Sequence, residues 1–118
     1  MVDRELEKEQ QRLCAQHRSE FIPISDDEKI GFATSTLNQV PLNGLRHSPE
    51  GGTTGWYIWC GTEFSNASDF FEPLCVKHLI ERLPGAARFL GLSPGHRFLT
   101  NGEYVDVWLD GDLLNTKV

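Results

Sequence analysis

No stretch of this sequence approaches eighteen consecutive apolar residues, which excludes a helix that crosses a membrane. No apolar segment follows Met1-Val2-Asp3-Arg4-Glu5, so a secretory leader is not expected and a cytoplasmic location is. Cysteine is scarce, with three in 118 residues. That odd, low count argues against a disulfide framework and for a reducing compartment. Basic residues are outnumbered, 11 against 17 acids, for a formal net charge of −6. A non-specific nucleic-acid binder neutralises phosphates with Lys and Arg, so no nucleic-acid partner is expected. Internal repeats and low-complexity tracts are absent too. What is present suits one soluble domain: 39% hydrophobic residues in 118 can bury a single core without disulfides or metal.

The acidity is uneven. Residues 47–76 carry Glu50, Glu63, Asp69 and Glu72 and no base. Residues 98–118 carry Glu103, Asp106, Asp110 and Asp112 against Lys117 alone. Between them, residues 77–97 hold Lys77, Arg82, Arg88 and Arg97 against Glu81. Acidic stretches that converge in space would attract a cationic partner. The plainer alternative is local neutralisation by the intervening bases.

Periodicity predicts an α+β single domain with a mainly antiparallel sheet. A helix is expected over about 3–20, free of Gly and Pro, with a thin apolar stripe of Val2, Leu6, Leu13 and Cys14 that docks loosely. Lys29–Leu37 alternates Ile30, Phe32, Thr34 and Thr36 in strand fashion. Asn38–Gly55, with Asn43-Gly44 and Gly51-Gly52, reads as a long loop with at most a short strand around Val40 and Leu42. Trp56-Tyr57-Ile58-Trp59-Cys60 places apolar residues on both parities, the mark of a central strand covered on both faces. One central helix is expected over about 73–83, with Pro73 in its first turn and Cys75, Val76, Leu79, Ile80 and Leu83 inward. A C-terminal hairpin over about 97–109 turns at Asn101-Gly102, the dipeptide preferred in a type I′ turn. A two-residue loop pairs Thr100 with Glu103 and Arg97 with Asp106. Phe98, Val105, Val107 and Leu109 then share a core face; Arg97, Leu99, Tyr104, Asp106 and Trp108 lie opposite, with Arg97 and Asp106 as a cross-strand ion pair, a face expected under a helix with exposure as a recognition surface the alternative.

Reactive constellations are weak. Cys75 and His78 share a helical face at Cys-x-x-His spacing, with Cys60 as a third candidate, but a zinc site commonly needs four ligands, so no metal is expected. A thiol hydrolase built from Cys60 or Cys75, His78 or His96, and Asp106 has no nucleophile motif around it. Asp110-Gly111-Asp112 reads as a turn, too short for a calcium loop. Gly51-Gly52-Thr53-Thr54-Gly55 lacks the Gly-Lys-Ser/Thr ending of a phosphate loop. No catalytic residue and no cofactor is assigned. Trp56 and Trp59 fall on opposite parities, so one is core and the other can reach a surface rimmed by Glu63 and Asp69. Burial of all three tryptophans is the competing reading.

The segment Gly55-Trp56-Tyr57-Ile58-Trp59-Cys60-Gly61-Thr62-Glu63 resembles the Gly-Trp-x(4)-Gly-x-Glu core of the immunity protein 33 family of bacterial polymorphic toxin systems. The likeness continues through Asp69-Phe70-Phe71-Glu72-Pro73-Leu74, Leu90-Gly91-Leu92-Ser93-Pro94-Gly95, Arg97-Phe98-Leu99 and Tyr104-Val105-Asp106-Val107-Trp108-Leu109-Asp110. Thr34-Ser35-Thr36-Leu37 resembles the family's early strand, and the resemblance covers about residues 30–112. It implies a helical extension over 1–28 and an immunity-type α+β domain over 29–118. It also implies a non-catalytic cytoplasmic protein that binds and blocks a cognate toxin domain.

An acidic surface with aromatics suits a basic toxin. The residues expected to carry that contact are Trp56, Trp59, Glu63, Asp69, Glu72, Tyr104, Asp106, Trp108 and Asp110. Two other readings stand beside it. One is a regulatory or small-ligand module with a pocket beside Trp56. The other is a small hydrolase with a thiol site of Cys75, His78 and Asp106 or a carboxylate site among Asp106, Asp110 and Asp112.

Overall fold

The run of β-branched and aromatic residues around Trp56 becomes the spine of a six-stranded sheet. The computed structural model describes residues 4–63, 65, 67 and 69–114, so Val2 of the expected apolar stripe and Lys117 lie outside it. In chain order the elements are α1 (Arg4–Gln16), β1 (Lys29–Phe32), β2 (Leu42–Arg46), β3 (Thr53–Cys60), β4 (Glu72–Cys75), α2 (Val76–Arg82), β5 (His96–Thr100) and β6 (Val105–Leu109). Short 3-10 stretches occupy Thr34–Thr36, Pro84–Phe89 and Gly111–Leu114. The strand order is β4-β1-β3-β2-β5-β6, and β1–β3 is the one parallel pairing among the described strands.

One face of the sheet packs against α1, α2 and the Pro84–Phe89 turn. Ile30, Phe32, Trp56, Ile58 and Phe98 meet Leu13, Cys14, Val76, Leu79, Phe89 and Leu90 there. The Phe98 ring stacks on Phe89 at 4.3 Å and lies 5.7 Å from Trp56. Gly44 is required beneath it, since a methyl at that position would overlap the Phe98 ring. Among the described residues no α-helix packs on the opposite face. Trp59 and Leu45 are covered there by Leu113, Phe70 and Phe71.

Several boundaries differ from expectation for local reasons. The first helix stops at Gln16 because Arg18 adopts a left-handed φ of 57° and Ser19 N donates to the Cys14 carbonyl at 2.8 Å, a Schellman closure. The helix does not dock loosely: Leu13 and Cys14 are core, and Gln10 Nε2 donates to the Ala87 carbonyl at 2.9 Å. The strand expected to reach Leu37 ends at Phe32. The Thr36 hydroxyl donates to the Ala33 carbonyl at 2.7 Å and accepts from Cys60 N at 2.9 Å, so a short turn is favoured over an extended chain. Asn43-Gly44 lies inside β2 rather than in a turn. The Asn43 amide bridges to the Gly61 carbonyl at 2.8 Å, which offsets its burial in the strand.

Pro73 is in β4, paired with Gly31, and the second helix begins only at Val76. Two of its otherwise unpaired first N–H groups are taken by carbonyls: Val76 N donates to Glu28 at 2.9 Å and Lys77 N to Asp26 at 3.1 Å. Between Lys29 and Gly31 the register on β3 jumps from Thr53 to Tyr57, a bulge centred on Gly55 at φ 87°. A side chain at Gly55 would strike the His47 carbonyl.

Candidate partner-binding surface

The sheet order separates the strand-borne acids of the two stretches. Glu72 lies on β4 and Asp106 on β6, the two edge strands, five strand spacings or about 24 Å apart. Glu63 and Asp69 belong to the segment that leads into β4 and are exposed. Glu72 and Asp106 therefore stand on opposite edges, while Leu113, next to Asp112, folds back over the open face to meet Phe70 and Phe71, between Asp69 and Glu72.

Trp56 and Trp59 do project from opposite faces, yet neither reaches a surface. Trp56 is 1% exposed and its indole N–H donates to the Leu90 carbonyl at 3.0 Å. Trp59 is 7% exposed beneath Phe71, whose ring lies 6.1 Å away. Both leave the expected contact set. The segment carrying Phe70 and Phe71 covers the helix-free face, a role that an alternation pattern within one strand cannot reveal.

The β6 edge has the opposite character. Tyr104 is 56% exposed, Trp108 38% and Leu109 63%; Val105 and Asp106 are exposed too. Among the described residues no helix covers Trp108, and the expected core face of Val105, Val107 and Leu109 is only half realised, because β6 is the last strand of the described sheet. The hairpin register is shifted by two residues. Leu99 pairs with Asp106 and Arg97 with Trp108. Asn101 explains the longer turn: its side-chain oxygen accepts from Glu103 N at 3.0 Å and Tyr104 N at 2.7 Å, holding a four-residue connection. The parity of each face survives, but the expected Arg97–Asp106 ion pair does not form. Arg97 instead lies over the Trp108 ring at 5.5 Å and pairs with Asp110 at 3.2 Å. Val105 and Leu109 are surface residues that the sequence pattern assigned to the core. Their exposure follows from the place of β6 at the end of the strand order, for which the strand itself carries no signal.

The reactive candidates are dispersed. The Cys75 sulfur lies 2.9 Å from His78 Nδ1, but Asp106 is on the far edge of the sheet, so the Cys75/His78/Asp106 hydrolase site is not assembled. Cys60 sits seven residues along β3 from the level of Cys75, on the order of 20 Å away. Burial raises the pKa of both Cys14 and Cys60, which makes them poor nucleophiles. Among the described residues, no three His, Cys, Asp or Glu side chains cluster for a metal. The cleft beside Trp56, lined by Lys29, Gly31, Tyr57, Phe71 and Pro73, measures about 200 Å³, below the usual range for a small-molecule site. No helix among the described residues is long and apolar enough to cross a membrane.

The architecture is thus an α+β domain, helices on one sheet face, with an acidic, aromatic edge strand as its most exposed chemistry. The family model for the Imm33-like domain matches residues 9–110, and the chain belongs to that family. The match takes in most of α1, which the resemblance had left outside. No curated protein and no solved structure matches the chain.

Proposed function

We propose that this chain is a non-catalytic immunity protein of the bacterial cytoplasm that binds a cognate toxin domain and blocks it stoichiometrically. Membership of the Imm33-like family over residues 9–110 carries this reading. The exposed aromatics and acids around β6 support it, because interfaces are enriched in Tyr and Trp and a cationic partner is steered by negative charge. Tyr104, Asp106, Trp108 and Asp110 form the favoured contact set. Glu63, Asp69 and Glu72, toward the other edge, are a second set.

Co-expression with the toxin domain encoded beside it tests the reading. Cells carrying both genes are expected to grow, and cells carrying the toxin with an unrelated acidic domain are expected to stop. Growth arrest in both would overturn the proposal.

A further inference from the structure

The phase of the β5–β6 ladder determines which backbone groups of β6 face outward. Asp110 N donates to the Gly95 carbonyl at 2.7 Å, and Asn101 N donates to the Tyr104 carbonyl at 3.3 Å. Both pairs continue the β5–β6 register, in which His96 meets Leu109 and Thr100 meets Val105. Hydrogen-bonded and non-hydrogen-bonded pairs alternate in an antiparallel ladder. Asp106 and Trp108 therefore bond inward to β5, and the N–H and C=O groups of Val105, Val107 and Leu109 point away from the sheet. Among the described residues no backbone bond reaches them from outside.

Proteins commonly blunt such an edge with proline, charge or a short strand. The other edge, β4, is four residues long and contains Pro73. Strand β6 has no proline, and its only charge is Asp106. Apolar side chains stand on both sides of its free edge: Val105 and Leu109 toward the helix side, Tyr104 and Trp108 toward the other.

We infer that β6 accepts a strand from a cationic protein, extending the sheet to seven strands by β-augmentation. The inference rests on the proposed toxin-binding reading and specifies its mode of contact. Charge selects the occupant. Glu103, Asp106, Asp110 and Asp112 surround this edge, with Arg97 already paired to Asp110. A second copy would add its own acids to an edge that is already negative, whereas a cationic strand would neutralise it. A strand alternating apolar residues on the helix side with Lys or Arg on the other side would cover Val105 and Leu109 and face Asp106.

The probe is a capped peptide alternating valine with lysine or arginine, added to the isotopically labelled 118-residue chain. Amide hydrogen exchange at Val105, Val107 and Leu109 is expected to slow as the peptide saturates in the millimolar range or below. A peptide methylated at every backbone nitrogen should lose about tenfold in affinity for each outward bond removed, and so show no binding. Replacing its bases with glutamate should also abolish the effect. Val107→Pro removes an outward N–H without removing a bond to β5, so it should weaken the peptide about tenfold. Asp106→Lys, at an exposed site, gives the same direction should the proline variant fail to fold.

Unchanged exchange at the three amides, equal binding of the methylated peptide, or protection that grows with protein concentration alone would each overturn the inference. The peptide arm is independent of the growth assay. Protection of cells without peptide docking removes the edge mode alone, and docking without protection removes the toxin reading alone.

Discussion

Replacing Arg46 with methionine puts a number on what holds the helical layer and the N-terminal segment to the sheet. Arg46 is 2% exposed. Its Nε donates to the Thr54 carbonyl at 2.9 Å, and its Nη1 donates to Leu92 at 2.7 Å and Ile22 at 3.0 Å. The guanidinium also lies 5.7 Å from the Trp56 ring. One side chain thereby ties β3, the segment after the Pro84–Phe89 turn and the strand-like stretch before β1. Burial lowers its pKa from 12.5 to about 10, partly countered by Glu28. That fall corresponds to roughly 3 kcal/mol against the charged form.

Three charge-assisted hydrogen bonds at about 1.5–3 kcal/mol each outweigh that cost. Methionine fills the space but leaves the buried Thr54 and Leu92 carbonyls and the part-buried Ile22 carbonyl without this donor. The expected loss is about 3 kcal/mol, read as a lower urea midpoint at unchanged slope and a Tm lower by roughly 10 °C. Lysine should recover little of it, because one ammonium cannot reproduce the planar fork. A methionine variant within about 1 kcal/mol of the parent would mean that the bonds only match the desolvation they require, as at other buried charges, and would refute the reasoning.

Other outcomes follow from the same contacts. Gly44→Ala should cost about 1–3 kcal/mol by overpacking, since Phe98 is held between Phe89 and Trp56; thermal unfolding measures it, and an unchanged Tm would contradict the packing. Thiol labelling of the folded chain should modify Cys75 quickly and Cys14 and Cys60 only on unfolding, as mass spectrometry of the labelled peptides will report. Folding raises the pKa of Cys14 and Cys60 above 9.0, so the unfolded chain releases these protons first; their contribution to stability is full below pH 9 and declines above it. Cys60→Ala should flatten the fall of Tm above that pH, and an unaltered slope would exclude the thiol. In association kinetics, Asp106→Lys should slow toxin binding and weaken its salt dependence, whereas Glu72→Lys on the far edge should leave the rate unchanged.

The parts of the fold visible in the sequence were those governed by short-range periodicity. The Trp56–Cys60 spine, its opposed tryptophans and the two faces of the C-terminal hairpin all follow from residues alternating along a strand. What escaped depends on single polar side chains bonding to backbone, nearby for Thr36 and Asn101 and across the sheet for Asn43. Thr36 cuts short β1, Asn43 makes a turn-like dipeptide into strand, and Asn101 lengthens the hairpin loop by two residues. Arg18 ends α1 in a left-handed conformation where a glycine would have announced it.

The candidate surface was half legible. Tyr104, Asp106 and Trp108 are exposed, but which tryptophans are covered depends on where Phe70, Phe71 and Leu113 fold back, a long-range matter. The exposure of Val105 and Leu109 follows from strand order, which no pattern within β6 encodes.

Titrating purified toxin domain with this chain probes the heart of the account. A protein that acts by occupying its target should abolish toxin activity linearly, reaching zero at one equivalent and holding there over time. Progressive loss of toxin activity at a small fraction of an equivalent would mean turnover, and would contradict it.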